Sequence, residues 1–290
     1  MSSASPETLE SCDPLETRQF LLAVRRLADT LSYGTDHSLF RGSGHEYVQS
    51  RIYEPGDPVK SMDWRVTART GKPHIKEYEA PKRMPVYLFL DTSASMTLTS
   101  QPLSKYAWAV QIAGGLAFAC LDRVSPVGVV GAGDRPLRIT PSLSRVQIME
   151  WLHRLRHYRL DEGTRLAARV TEISSLLSQR AMLVVLSDLH DPAAPAALRL
   201  AAQRHEVVVL QMRDPAEDAL SGAGFFHARE AETGTTFLTR GKALPVSESM
   251  MAKELRRGGV DHLVLRTDQP IAAPLREFMR ARGVFNRNAR

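Results

Sequence analysis

Cysteine is nearly absent from this 290-residue chain, with Cys12 and Cys120 its only two. They make neither a disulfide framework nor a zinc site by spacing. Cys12 lies in a polar tail and Cys120 in an apolar helical stretch, so the simplest expectation is a reducing, cytoplasmic location. Long apolar runs are missing as well; none approaches the ~20 residues that a membrane-spanning helix needs. Met1 to Pro14 is polar and acidic without an apolar core, so the expectation is a flexible tail and not a signal peptide. No recognisable nucleic-acid module and no stripe of aromatic and basic residues accompanies the formal net charge of +6. The excess of Lys and Arg is therefore read first as solvated side chains. A surface for nucleic acid or an acidic partner is the second reading, and for DNA it predicts strongly salt-dependent binding. The length suits one large domain, or a medium one with a smaller companion.

What the chain does have is a short, unbroken apolar run, Val86-Tyr87-Leu88-Phe89-Leu90, that ends on Asp91 and is followed by Ser93 and Ser95. Such a run predicts a strand buried on both faces, as in a parallel sheet covered by helices. Ligand sites in these sheets lie beyond the carboxyl ends of the strands. Three oxygen-bearing side chains at alternate positions there suit a hard cation such as Mg²⁺. The same residues also suit a helix cap and a turn, and the loop alone does not choose between the two.

In chain order, Leu15 to Leu31 has helical apolar spacing and Tyr33 to Gly44 reads as a loop. Val48 to Tyr53 and His74 to Tyr78 read as strands around the turn Glu54-Pro55-Gly56-Asp57. Val59 to Thr67 is either a helical turn or a third extended piece. This segment is too small for a core of its own and is expected to pack as a lobe. Asp57 and Asp63, among Arg51, Arg65 and Arg69, are expected to form structural ion pairs. After Pro85 strands and helices alternate: strands at 86–90, 127–130, 137–139, 182–186, 207–212 and 262–265, a hairpin at 225–238, and helices at 104–121, 143–157, 165–177, 193–203, 247–257 and 271–282. The expected fold is α/β, a doubly wound, mostly parallel sheet of Rossmann type with an antiparallel edge strand. The expected division is a tail at 1–14, a helix and lobe at 15–80, and the α/β domain at 81–290.

Two buried strands end on aspartates, Asp91 and Asp188, and parallel strands bring both to one edge. Thr164 lies in a Gly-Thr turn that opens a helix and can reach the same edge. One cation can then meet Asp91, Ser93, Ser95, Thr164 and Asp188, some through water. With only two carboxylates the ion keeps an open position for an external carboxylate.

The D-x-S-x-S loop, the later Gly-Thr and the strand-end aspartate resemble the metal-ion-dependent adhesion site of von Willebrand factor A domains. The segment with Arg51, Tyr53, Gly56, Asp57, Asp63, Trp64, Ala68, Arg69, Lys76, Tyr78 and Glu79 resembles the signature of the bacterial family called domain of unknown function 58, whose members carry it just before an A-type domain. The Asp214-Pro215 turn and the Glu232-x-Gly234 hairpin fit the same family. Glu162, before Gly163, departs from the small residue common there. The resemblance implies a von Willebrand factor A-like domain whose metal ligands are Asp91, Ser93, Ser95, Thr164 and Asp188, holding Mg²⁺ or another divalent cation. It also implies a non-catalytic binding module, an adaptor beside a MoxR-type AAA+ ATPase, or a client offering an acidic residue to the metal. Neither nucleic acid nor a membrane span is expected as a partner. The alternative is a Mg²⁺-dependent hydrolase or phosphatase with Asp91 as nucleophile and His190 as its one candidate base.

Overall fold

The computed structural model of the protein describes residues 16–32, 47–55, 57, 59–78, 84–215, 217, 225–229, 236–240 and 248–285. The tail at 1–14, the loop at 33–44, Gly56, Glu79 and the hairpin tip at 232–234 lie outside them.

The first helix, α1 (Thr17–Ser32), buries Phe20, Val24, Leu27, Ala28 and Leu31 along one face. A small lobe follows, in which β1 (Tyr47–Ile52), α2 (Trp64–Thr70) and β2 (His74–Tyr78) pack around an antiparallel β1–β2 pair. The segment left open in the sequence is a 3₁₀ turn at Val59–Ser61 followed by the start of α2. Arg51 and Asp57 form the expected ion pair, with both guanidinium–carboxylate contacts at 2.7 Å. Asp63 does not pair with Arg65 or Arg69. Its carboxylate accepts the backbone N–H groups of Arg65 and Val66 and the Ser50 hydroxyl, so it is the N-cap of α2. The four unpaired N–H groups of a helix start are a stronger local attraction for this carboxylate than exposed arginines. Tyr53 donates its N–H to the Pro73 carbonyl, while Trp64 and Arg69 stand exposed on α2.

The main body alternates β3 (Val86–Leu90), α3 (Lys105–Asp122), β4 (Val127–Gly131), β5 (Arg138–Ser142), α4 (Arg145–Arg156), α5 (Leu166–Leu176), β6 (Met182–Ser187), α6 (Ala194–Ala202) and β7 (Glu206–Arg213). The separate antiparallel pair β8 (Phe225–Arg229) and β9 (Thr236–Arg240) comes next, then α7 (Glu248–Arg257), β10 (Val260–Arg266) and α8 (Ala272–Phe285). Six strands form one sheet in the order β10-β7-β6-β3-β4-β5, all parallel except β5, which runs antiparallel at the edge.

Alternate residues of the central strands feed two cores. Val86, Leu88 and Leu90 pack with α1, α3, α4 and α8, while Tyr87 and Phe89 pack with α5 and α6. Met182, Val184 and Leu186 of β6 join the first core, and Leu183 and Val185 the second. Both faces of the sheet are thus covered, which is why residues 86–90 and 182–186 are apolar throughout. The order of connection reverses between β3 and β6, and in open α/β sheets the crevice at such a reversal, outside the carboxyl ends of the strands, is where ligands bind.

Candidate functional site

Asp91 and Asp188 follow β3 and β6 directly, at that reversal. The register sets Leu90 against Leu186, and the N–H of Asp91 continues the ladder to the Leu186 carbonyl at 2.9 Å. The chain then turns sharply. The Asp91 carboxylate accepts the Ser93 N–H at 3.1 Å and the Ser187 hydroxyl at 2.5 Å. The hydroxyls of Ser93 and Ser95 lie 3.0 Å apart and both residues are buried. A 3₁₀ turn at Ala94–Thr97 closes the loop without a side-chain cap at Ser93. Asp91 is only 1% exposed, and among the described residues no basic group pairs with it. Burial and then the charge of Asp188 push its carboxyl up to about 6, against the hydrogen bonds from Ser187 and Ser93.

Thr164 reaches the same edge through the backbone. Gly133, just beyond β4, bridges to Thr164, the Arg165 N–H bonds the Ala132 carbonyl, and the Ala94 N–H bonds the Glu162 carbonyl at 2.9 Å. The Thr164 hydroxyl is buried and has no hydrogen-bond partner among the described residues. Among the described residues, a carboxylate without a basic partner, two hydroxyls bonded to each other and a buried hydroxyl without a partner form an oxygen-only set. This is the donor chemistry that a hard divalent cation takes, and these residues fit one.

Asp188 sits in a different electrostatic setting. Lys105, at the start of α3, is fully buried and donates to Asp188 Oδ2 at 2.8 Å and to Glu217 Oε1 at 2.5 Å. His190 Nδ1 lies 3.2 Å from the same Asp188 oxygen. Burial alone raises the Asp188 carboxyl, but the hydrogen bond from His190 and the charges of Lys105 and His190 outweigh it and hold the group well below the usual range. The hydrogen bond to Asp188 raises the His190 imidazole against the effect of burial. Burial also opposes the Lys105 charge, and the two carboxylates more than offset it. Asp188, His190 and Glu217 each offer a donor atom within 4.8 Å of the others, a possible metal triad in its own right. The ammonium of Lys105 already lies on both of its carboxylates, so a metal there must displace it. Leu189, next to Asp188, takes a left-handed conformation at φ 61°, and its N–H bonds the Ser187 hydroxyl. Backbone strain of this kind concentrates at functional sites.

Asp214 closes the other side of the edge. Its carboxylate accepts Thr99 Oγ1, Ser100 N, Ser100 Oγ and Thr267 Oγ1, tying the segment after the Asp91 loop to the ends of β7 and β10. Lys105, Glu217 and Ser187 escaped the sequence reading. For Lys105 a signal existed, a lone cation opening a largely apolar helix; Ser187 and Glu217 had none, because only the sheet register brings in the first and the turn after β7 the second.

Uncharacterised proteins of Mycobacterium bovis and Mycobacterium tuberculosis are 28% identical over 279 residues, covering 91% of this chain and 88% of theirs. The family model described as protein of unknown function DUF58 matches residues 49–257, a span that holds most of the lobe together with Asp91, Thr164 and Asp188. The chain belongs to this family, DUF58.

Proposed function

We propose that the protein is a metal-dependent protein-binding module, a von Willebrand factor A-like domain. In this reading Asp91, Ser93, Ser95, Thr164 and Asp188 hold Mg²⁺ or another divalent cation, some of them through water. The open position on the ion takes a carboxylate from a partner. That partner is a MoxR-type AAA+ ATPase or the client on which the two proteins work, and the protein acts as a non-catalytic adaptor. The reading rests above all on the buried Asp91 carboxylate, which feels the charge of Asp188 and pairs with no basic group among the described residues. A divalent cation removes that repulsion and takes the oxygens of the neighbouring hydroxyls as ligands in one step. The hydrolase alternative needs His190 as a free base, and its contact with Asp188 favours the protonated form instead.

Millimolar Mg²⁺ is expected to raise the melting temperature of the wild-type protein and to leave Asp91→Ala, or Ser93→Ala with Ser95→Ala, where they were. The ATPase should be captured in Mg²⁺ and released by a chelator. An equal Mg²⁺ shift in Asp91→Ala, or none in the wild type, would overturn the metal site. Turnover of phosphate esters that disappears in Asp91→Asn would replace the adaptor with the hydrolase.

A further inference from the structure

We propose that Glu162 is a positioning residue that holds the Asp91–Ser95 loop in its ligating shape; the inference rests on the metal reading above. The Glu162 side chain is 5% exposed and reaches two other segments of chain. Its Oε1 accepts the Thr92 hydroxyl at 2.5 Å. Its Oε2 accepts the Arg135 backbone N–H at 2.7 Å and the Arg135 Nε–H at 3.1 Å. Its own carbonyl accepts the Ala94 N–H at 2.9 Å. Thr92 and Ala94 are the two residues interleaved with Asp91, Ser93 and Ser95, so one residue fixes both spacers of the ligand loop. Two positions further on stands Thr164, the contributor from the second loop. The distance between the two sets of ligands therefore passes through Glu162.

Glu162 fits because of Gly133. A Cβ at that position would overlap both the Glu162 carboxylate and the Thr92 hydroxyl. The carboxylate is also fully employed, with one oxygen on a hydroxyl and the other on Arg135. It acts on the ion by orienting the loop. Groups that orient metal ligands in this way commonly change affinity by about 10–100-fold when lost.

The test compares wild type, Glu162→Ala, Glu162→Gln and Thr92→Val by Mn²⁺ titration with electron paramagnetic resonance. Amide hydrogen exchange across residues 92–96 is followed in the metal-free proteins. Glutamine can still accept from Arg135 and donate to Thr92, so Glu162→Gln should bind Mn²⁺ within about threefold of wild type. Glu162→Ala and Thr92→Val should each weaken binding by about tenfold or more. Thr92→Val keeps the side-chain shape and removes only the tie, which separates positioning from a general loss of folding. Exchange across 92–96 should speed up in Glu162→Ala. Unchanged exchange, or equal Mn²⁺ affinity in wild type and both weakened variants, overturns the inference. A wild type that binds no Mn²⁺ overturns the metal reading instead, and exchange alone then decides whether Glu162 holds the loop.

Discussion

Lys105 is a charged side chain with no exposed surface, and it stands where its two carboxylates leave it no alternative. A buried charge is tolerated only when paired, and the pair becomes costly when one member is removed. Lys105→Met keeps the stem and deletes the ammonium, leaving Glu217 without its cation and Asp188 with His190 alone. Its expected cost is about 3–5 kcal/mol in urea unfolding. Adding Asp188→Asn and Glu217→Gln to Lys105→Met should recover most of that loss. Asp91→Asn should act in the opposite direction. Above neutral pH and in the presence of a chelator it removes a buried charge facing Asp188, so its melting temperature should exceed that of the wild type. It should gain nothing from Mg²⁺.

The contact between α1 and α3 is set by Gly114 and Gly115. A Cβ on Gly115 would come within 2.8 Å of the Leu27 side chain, and one on Gly114 within 2.9 Å of Val24. Because glycine has no side chain there, α1 lies close enough for Phe20, Val24, Leu27 and Leu31 to enter the core over β3. Gly115→Ala is expected to cost about 1–3 kcal/mol through overpacking. Leu27→Ala placed in the same protein should then add less than its own separate cost, since the two changes share one space. A double-mutant cycle in urea measures the difference. The cost matters to the site because α3 also carries Lys105.

For the molecule as a whole, the pH dependence of stability has a contribution of known sign from β10. Burial, helped by the charge of Arg256, holds His262 down at about 4, and its Nε2 lies 2.9 Å from the Gln211 side-chain oxygen. The unfolded chain protonates this imidazole near its ordinary value of 6.5, while the folded protein does so only near 4. Between those values the unfolded state binds more protons. The contribution is complete above pH 6.5 and is lost as the pH falls towards 4. The stability difference between about pH 7.5 and about pH 5 should therefore be smaller in His262→Gln than in wild type, measured from urea midpoints at each pH.

Sequence alone determined the alternation of elements, the all-apolar central strands and the two aspartates at their ends. Each follows from a local signal: an unbroken apolar run can bury both faces, and parallel strands bring their ends to one edge. The same local reading misassigned Asp63, because a helix cap and an ion pair use the same carboxylate and the choice depends on where the helix starts. Only the tertiary structure decided which groups meet at the edge. Ser187 with Asp91, Lys105 with Asp188 and Glu162 with Thr92 are pairs 96, 83 and 70 residues apart. Such pairs are fixed by strand order, register and the space left at a single glycine, quantities that no local periodicity encodes.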